Sequence, residues 1–180
     1  KFKEISYLIS RKFRKINPIN LKIPSPKETG KTFISNSKLK ANFFSKYVDY
    51  PVISDDSGLC IKALNQKPGV YSARLAKKHG SFLKAMKHIL KKMKNKKNRS
   101  ATFVCSLSLK YPKKKTINVT GRLKGTISKK ILGKNGFGYD PIFVPSNYKK
   151  TFGEMIKSKK IKIDHRYIAF KMLKKKIKTL

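Results

Sequence analysis

Carboxylates are the scarcest chemical groups in this chain: Glu4, Glu28, Asp49, Asp55, Asp56, Asp140, Glu154 and Asp164 are its only acids, against 46 Lys and Arg. Two of them, Asp55 and Asp56, are adjacent and are followed by Ser57-Gly58. A hard cation such as Mg²⁺ takes oxygen ligands, usually one or two carboxylates together with substrate phosphates. An Asp-Asp pair at the end of a strand would supply such a ligand and a base for water. Asp-Asp-Ser-Gly is also ordinary turn chemistry, and spacing alone leaves both readings open.

The segment Lys27-Glu28-Thr29-Gly30-Lys31-Thr32 invites comparison with a phosphate-binding P-loop. That motif needs a glycine five positions before its second glycine, a place held here by Ser25, and a strand leading straight in. Pro24 and Pro26 interrupt any such strand. Glu28 then has two uses: a partner for the dipole of a following helix, or a second metal carboxylate.

Gly133, Gly136 and Gly138 punctuate Gly133-Lys134-Asn135-Gly136-Phe137-Gly138-Tyr139-Asp140-Pro141. Glycines let backbone N–H groups approach a ligand closely. Phe137, flanked by two of them, is placed as a stacking platform; the plain alternative is a bulged hairpin loop. Lys160 and Asp164-His165-Arg166 stand at the mouth of the last expected helix, where donors suit an anion or a carbonyl oxygen. They would serve equally as surface groups. No metal-ligand spacing links His79, His88 and His165.

The elements that must hold these groups follow from periodicity. Apolar residues at helical spacing predict helices over residues 1–14, 29–48, 81–93 and 164–177, with Thr29 and Asp164 as caps. The helix over 81–93 turns Phe82, Met86, Ile89 and Leu90 inward. Strands are expected at 20–23, 51–54, 59–64, 100–111, 116–123 and 139–144, a turn at 66–69 and a short helix at 151–156. Val104 and Leu107 suit either core or interface. Helices interleaved with strands argue for one α/β domain with a mixed sheet.

Composition narrows the class of function. The formal net charge is +38, yet only six of the basic residues are Arg and Lys is spread through every segment. Direct base readout favours Arg, and nucleic-acid binders cluster charge on one face, so no specific nucleic-acid partner is expected. A positive field of this size still attracts a polyphosphate. Cys60 and Cys105 each sit in an apolar run and read as small buried hydrophobes of a reducing cytoplasm. No apolar run approaches the ~18 residues that cross a membrane, and the opening Lys1-Phe2-Lys3-Glu4 is no signal-peptide core.

Taken in order, the segments resemble the inosine/xanthosine triphosphate pyrophosphatase family over almost the whole chain. The resemblance rests on Glu28-Thr29-Gly30-x-Thr32-Phe33 with Asn36-x-Lys38, Asp55-Asp56-Ser57-Gly58-Leu59, and Pro68-Gly69-Val70-Tyr71-Ser72-Ala73-Arg74. It continues through Gly136-Phe137-Gly138-Tyr139-Asp140-Pro141-Ile142-Phe143, Thr151-Phe152-x-Glu154-Met155, Lys160 and His165-Arg166.

The resemblance implies an elongated α/β fold of two lobes with a mixed, twisted sheet flanked by helices and an active-site cleft between the lobes. It implies a homodimer, Mg²⁺ dependence, and hydrolysis of ITP, dITP or XTP to the monophosphate and pyrophosphate. Asp56 would be the base for water and a metal ligand, with Glu28 and Asp55 as further metal carboxylates. Ser57 would touch substrate. Phe137, Gly138, Tyr139 and Asp140 would form the base-binding loop. Lys160, His165 and Arg166 would hold the nucleotide, and Lys1, Lys38 and Lys160 would pair with phosphate oxygens. Donors facing the purine 6-position would be satisfied by a keto oxygen, which accepts from them, and not by an amino group. The family opens with a strand and a Thr-x-x-x-x-Lys loop, whereas this chain opens at what resembles that loop's Lys; a single domain lacking the first strand is therefore expected. Ser usually precedes His-Arg in the family, and Asp164 stands there here. The alternatives are a Maf-like nucleotide pyrophosphatase and a basic RNA-binding protein without catalysis.

Overall fold

The computed structural model describes residues 2–178. It contains helices α1 (Phe2–Leu8), α2 (Phe33–Phe44), α3 (Ser72–Lys78), α4 (Phe82–Lys92), α5 (Lys157–Lys160) and α6 (His165–Lys178). Its strands are β1 (Val52–Ile61), β2 (Ser100–Lys110), β3 (Ile117–Ile127) and β4 (Phe143–Pro145). They form one sheet in the order β1-β2-β3-β4. The α/β class matches expectation, and the sheet is antiparallel rather than mixed. Sequence neighbours lie side by side in it; β4 is registered on the end of β3 through Gly125–Pro145 and Ile127–Phe143.

The chain divides into two compact units, Lys1–Asp56 with Cys105–Gly121 and Arg166–Leu180, and Ser57–Val104 with Arg122–His165. In the first unit β2 carries Cys105, Leu107 and Leu109 on one face, packed with Val119 and with Ala169 and Leu173 of α6. Alternate residues of a strand point to opposite faces. The intervening Ser106 and Ser108 face the other way: Ser106 meets Thr120 at 2.8 Å, and Ser108 meets Ser37 of α2 at 2.8 Å. One face of this segment is therefore apolar under α6 and the other is a hydrogen-bonded polar seam under α2. Satisfied seams of this kind specify register, because a slipped strand would bury unpaired hydroxyls.

In the second unit Leu59, Ile61, Ala85, Met86, Ile89, Met93, Phe103, Phe143 and Phe152 form a continuous core. Ser81 caps α4 by accepting the Lys84 N–H at 3.1 Å. The far end of that helix is stapled by Arg99, which donates to the Met93, Ile127 and Ser128 carbonyls at 3.0, 2.6 and 2.7 Å. Val104 is fully buried in this unit and Leu107 is buried in the first, so both are core residues.

Several expected elements differ. Residues 20–23 are no strand: Pro18–Leu21 is a short 3-10 turn capped by Asn17. The first helix ends at Leu8, and α2 begins at Phe33 because Thr32, not Thr29, caps it in a reciprocal box with Ser35. Residues 139–144 open with a 3-10 turn before β4, and Phe82 is partly exposed rather than inward. Residues 151–156 form a turn that Thr151 and Glu154 close side chain to backbone, so the helical turn comes later, in α5. Among the described residues no helix is long and apolar enough to cross a membrane.

Candidate active site

Asp55-Asp56 is not a turn. Both lie inside β1, which runs unbroken from Val52 to Ile61. Strand alternation therefore sends the two carboxylates to opposite faces, and their partners show it. Asp56, 4% exposed, accepts from Asn36 Nδ2 of α2 at 3.0 Å. Asp55 lies 3.7 Å from Arg166 Nη2 of α6.

Asn36 is itself fixed. Fully buried, it accepts the Gly30 N–H at Oδ1 (2.7 Å), which leaves Nδ2 to point at Asp56. This contact needs glycine at position 30: a Cβ there would meet Asn36 Oδ1 at 2.5 Å and Ser35 Oγ at 2.3 Å. One helical turn beyond Asn36, Lys40 Nζ sits 2.5 Å from Glu28 Oε1 and 3.8 Å from Asp56 Oδ1. Residues four apart on a helix share a face, so Asn36 and Lys40 approach the carboxylates together.

Arg166 holds a second pair of acids in the first unit. Its Nη1 lies 3.2 Å from Glu4 Oε2, while Nη2 faces Asp55. Four of the eight acids are thus gathered on two cations, Lys40 and Arg166. Among the described residues, no group of three or more acid, His or Cys side chains forms a ready-made metal cage. The alternation of Asp55 and Asp56 explains that. The donor set still fits a hard cation. It is all-oxygen, and Lys40 lies between Glu28 and Asp56; a metal needing only one or two protein carboxylates would find them there.

In the second unit the glycine loop is organised by Asp140. Its Oδ2 accepts the Phe137 N–H at 2.8 Å and Lys160 Nζ at 2.7 Å, with both charged side chains nearly inaccessible to solvent. Gly136 has φ of 77°, and a Cβ there would lie 2.1 Å from Asp140 Oδ2, so no other residue fits. Lys160 Nζ stands 4.8 Å from the Phe137 ring centre and 5.6 Å from that of Phe152, within cation–π range. Phe137 is 40% exposed. Gly138 follows it with φ of 67°. Buried Tyr139 donates its hydroxyl to the Ser72 carbonyl at 2.8 Å, and burial pushes its phenol well above the usual range. The His165 ring stacks on Phe103 at 4.7 Å and 11°. Ser57, half-buried on β1, also belongs to this unit.

Comparison with known proteins decides the family. The Ham1 family profile matches residues 1–176. The chain belongs to the Ham1 family. It is 42% identical over 160 residues to a dITP/XTP pyrophosphatase of Oceanobacillus iheyensis, covering 88% of this chain and 81% of that one. It is 38% identical over 176 residues to the dITP/XTP pyrophosphatase of Caulobacter vibrioides, covering 97% and 91%. The solved structure of the Staphylococcus aureus Ham1 protein superposes with a TM-score of 0.89 at 34% identity, covering 99% of this chain and 93% of that one.

Within this Ham1 chain the structure redistributes several expected residues. Lys38 is exposed on α2, two residues from both Asn36 and Lys40 and so on the opposite side of the helix. Lys40 is the lysine that meets the carboxylates, and Asn36-x-x-x-Lys40 is the spacing that matters. Glu28 is no helix-dipole partner, since α2 starts five residues later; it is the partner of Lys40. Asp55 and Asp56 are separated by the pleat. Lys1 lies outside the described residues. Asn36 and Lys40 as carboxylate partners were missed, as was Glu4, although the i, i+4 spacing of the first two was readable.

Proposed function

We propose that this chain hydrolyses non-standard purine nucleoside triphosphates, ITP, dITP and XTP, to the monophosphate and pyrophosphate. The observation that carries the reading is the buried carboxylate of Asp56, oriented by Asn36 and faced by Lys40, in a chain with only eight acids. The names borne by its Ham1 relatives point to the same chemistry.

In this reading Asp56 accepts the proton from the water that attacks the α-phosphate, and the α–β bridging oxygen leaves with pyrophosphate. A carboxylate fixed by a donated hydrogen bond holds its acceptor lone pair in one direction, which favours attack from one side. Mg²⁺, held by Asp56 and Glu28 with Asp55 adding charge, would neutralise phosphate oxygens and ease departure of the leaving group. Lys40 supplies further positive charge to the polyphosphate, as would Lys1, whereas Lys38 faces away from it. The Phe137 ring stacks on the purine. Gly138, Tyr139 and Asp140 shape the loop that holds it, and Ser57 contacts the substrate. Lys160, His165 and Arg166 present donors that a 6-keto group satisfies and a 6-amino group does not; such mismatches cost about 1–3 kcal/mol per buried donor. The protein is further read as a cytoplasmic homodimer with a small-molecule substrate.

A product assay tests this. With Mg²⁺, ITP, dITP and XTP should each yield one pyrophosphate per nucleotide, ATP far less, and EDTA should stop the reaction. Release of orthophosphate instead of pyrophosphate, or equal turnover of ATP, contradicts the reading.

A further inference from the structure

The ion pairs of the first unit form two short chains, one on each face of β1. On the α2 face Lys40 stands between Glu28 and Asp56; on the α6 face Arg166 stands between Glu4 and Asp55. In each, two carboxylates flank one cation, and together the two chains gather four of the eight acids of a protein of formal charge +38. All six side chains are shielded from solvent, from 4% exposed for Arg166 to 30% for Glu28, so screening is weak and each unit of charge is felt across the group.

Glu4 is the member of this set with no part in the proposed hydrolysis. It lies on α1, outside the acidic and glycine-rich motifs described above, and its carboxylate is 13% exposed. An acid is costly to shield unless it is paired. Its contact with Arg166 Nη1 has an electrostatic consequence. A guanidinium facing Asp55 alone would cancel that carboxylate; one shared with Glu4 leaves half of the pair's negative charge in place.

We propose that Glu4 is a positioning residue which, by sharing Arg166 with Asp55, offsets the guanidinium charge beside the β1 carboxylates and so sets the affinity of the site for a divalent cation. The proposal rests on the reading of Asp56 and Glu28 as metal carboxylates. It makes the unusual claim that two partners of one ion pair act with opposite sign. Removing the acid weakens metal binding, and removing the base strengthens it.

The test is a Mn²⁺ binding isotherm, followed by calorimetry without nucleotide, on wild type, Glu4→Gln, Glu4→Asp, Arg166→Gln and the Glu4→Gln/Arg166→Gln double variant, each with a thermal melt. Expected are a Kd about tenfold higher for Glu4→Gln, near wild type for Glu4→Asp, about tenfold lower for Arg166→Gln, and near wild type for the double variant, whose net charge is restored. If one single variant fails to fold, the sign of the other decides. A merely structural role would weaken binding in both single variants, and that result, or no change in either, overturns the proposal while leaving the metal reading intact. A wild-type chain that binds no Mn²⁺ overturns the metal reading and this proposal with it.

Discussion

Asn36 Nδ2 donates to Asp56 Oδ2 at 3.0 Å, and the same amide accepts the Gly30 N–H at 2.7 Å, so the carboxylate in the middle of β1 takes its orientation from the loop that leads into α2. Asn36→Ala removes both hydrogen bonds and leaves two buried polar groups to find others. The expected loss is about 2–4 kcal/mol of stability, read by urea denaturation, with kcat on dITP falling more than KM rises. Unchanged kcat would show that Asp56 needs no such orientation.

Gly30→Ala should reproduce the activity defect without touching a functional group. Its Cβ would displace Asn36 Oδ1 and Ser35 Oγ, the side chains that set Asp56 and the α2 cap. A capping loss of about 1 kcal/mol is expected in the melt, with a drop in kcat comparable to that of Asn36→Ala. Full activity would mean that the loop yields without moving Asn36.

The Asp140–Lys160 pair should behave as a buried ion pair. Lys160→Met leaves Asp140 charged and shielded, and about 3–5 kcal/mol should be lost. Asp140→Asn/Lys160→Met should recover much of that stability while still raising KM for dITP, because the donor presented beside Phe137 is gone. Equal KM values for the double variant and wild type would remove Lys160 from nucleotide binding.

The reading of the sequence was closest where one periodicity ran long: α4, α6 and the β2–β3 hairpin fall within a few residues of expectation. The glycine loop was also legible, because Gly133, Gly136 and Gly138 all need positive φ. What misled were residues that serve the site against local preference. Asp55-Asp56-Ser57-Gly58 has the composition of a turn and lies in a strand; tertiary pairing with Asn36 and Arg166 outweighs propensity. Thr29, Thr32 and Glu28 offered competing helix starts, and only the Thr32–Ser35 box decides between them. Lys38 and Lys40 cannot be told apart by type. The helical position of Asn36 selects Lys40. Glu4 carries no local signal at all, since its meaning comes from Arg166, 162 residues away.

His88 gives a pH dependence outside the site. Its ring lies 4.4 Å from that of His79. Desolvation, then His79, Lys92, Lys78 and Lys91, hold its pKa below the ordinary 6.5. The folded state then binds this proton less readily than the unfolded state, so stability falls as pH drops below the unfolded value of 6.5 and is fully present above it. His88 is only partly buried, so the effect is small. Melting temperature should decline slightly from pH 7.5 to pH 5, and His88→Gln should flatten that decline. An identical slope in the variant would contradict it.

The most direct measurement is pyrophosphate release from dITP by wild type and Asp56→Asn at saturating Mg²⁺, with thermal melts of both. Asn keeps the shape of the side chain but loses its charge and basicity. For Asp56→Asn, kcat should fall about a thousandfold or more, with a melting temperature within a few degrees of wild type. Turnover within a few-fold of wild type would show that Asp56 is not the base.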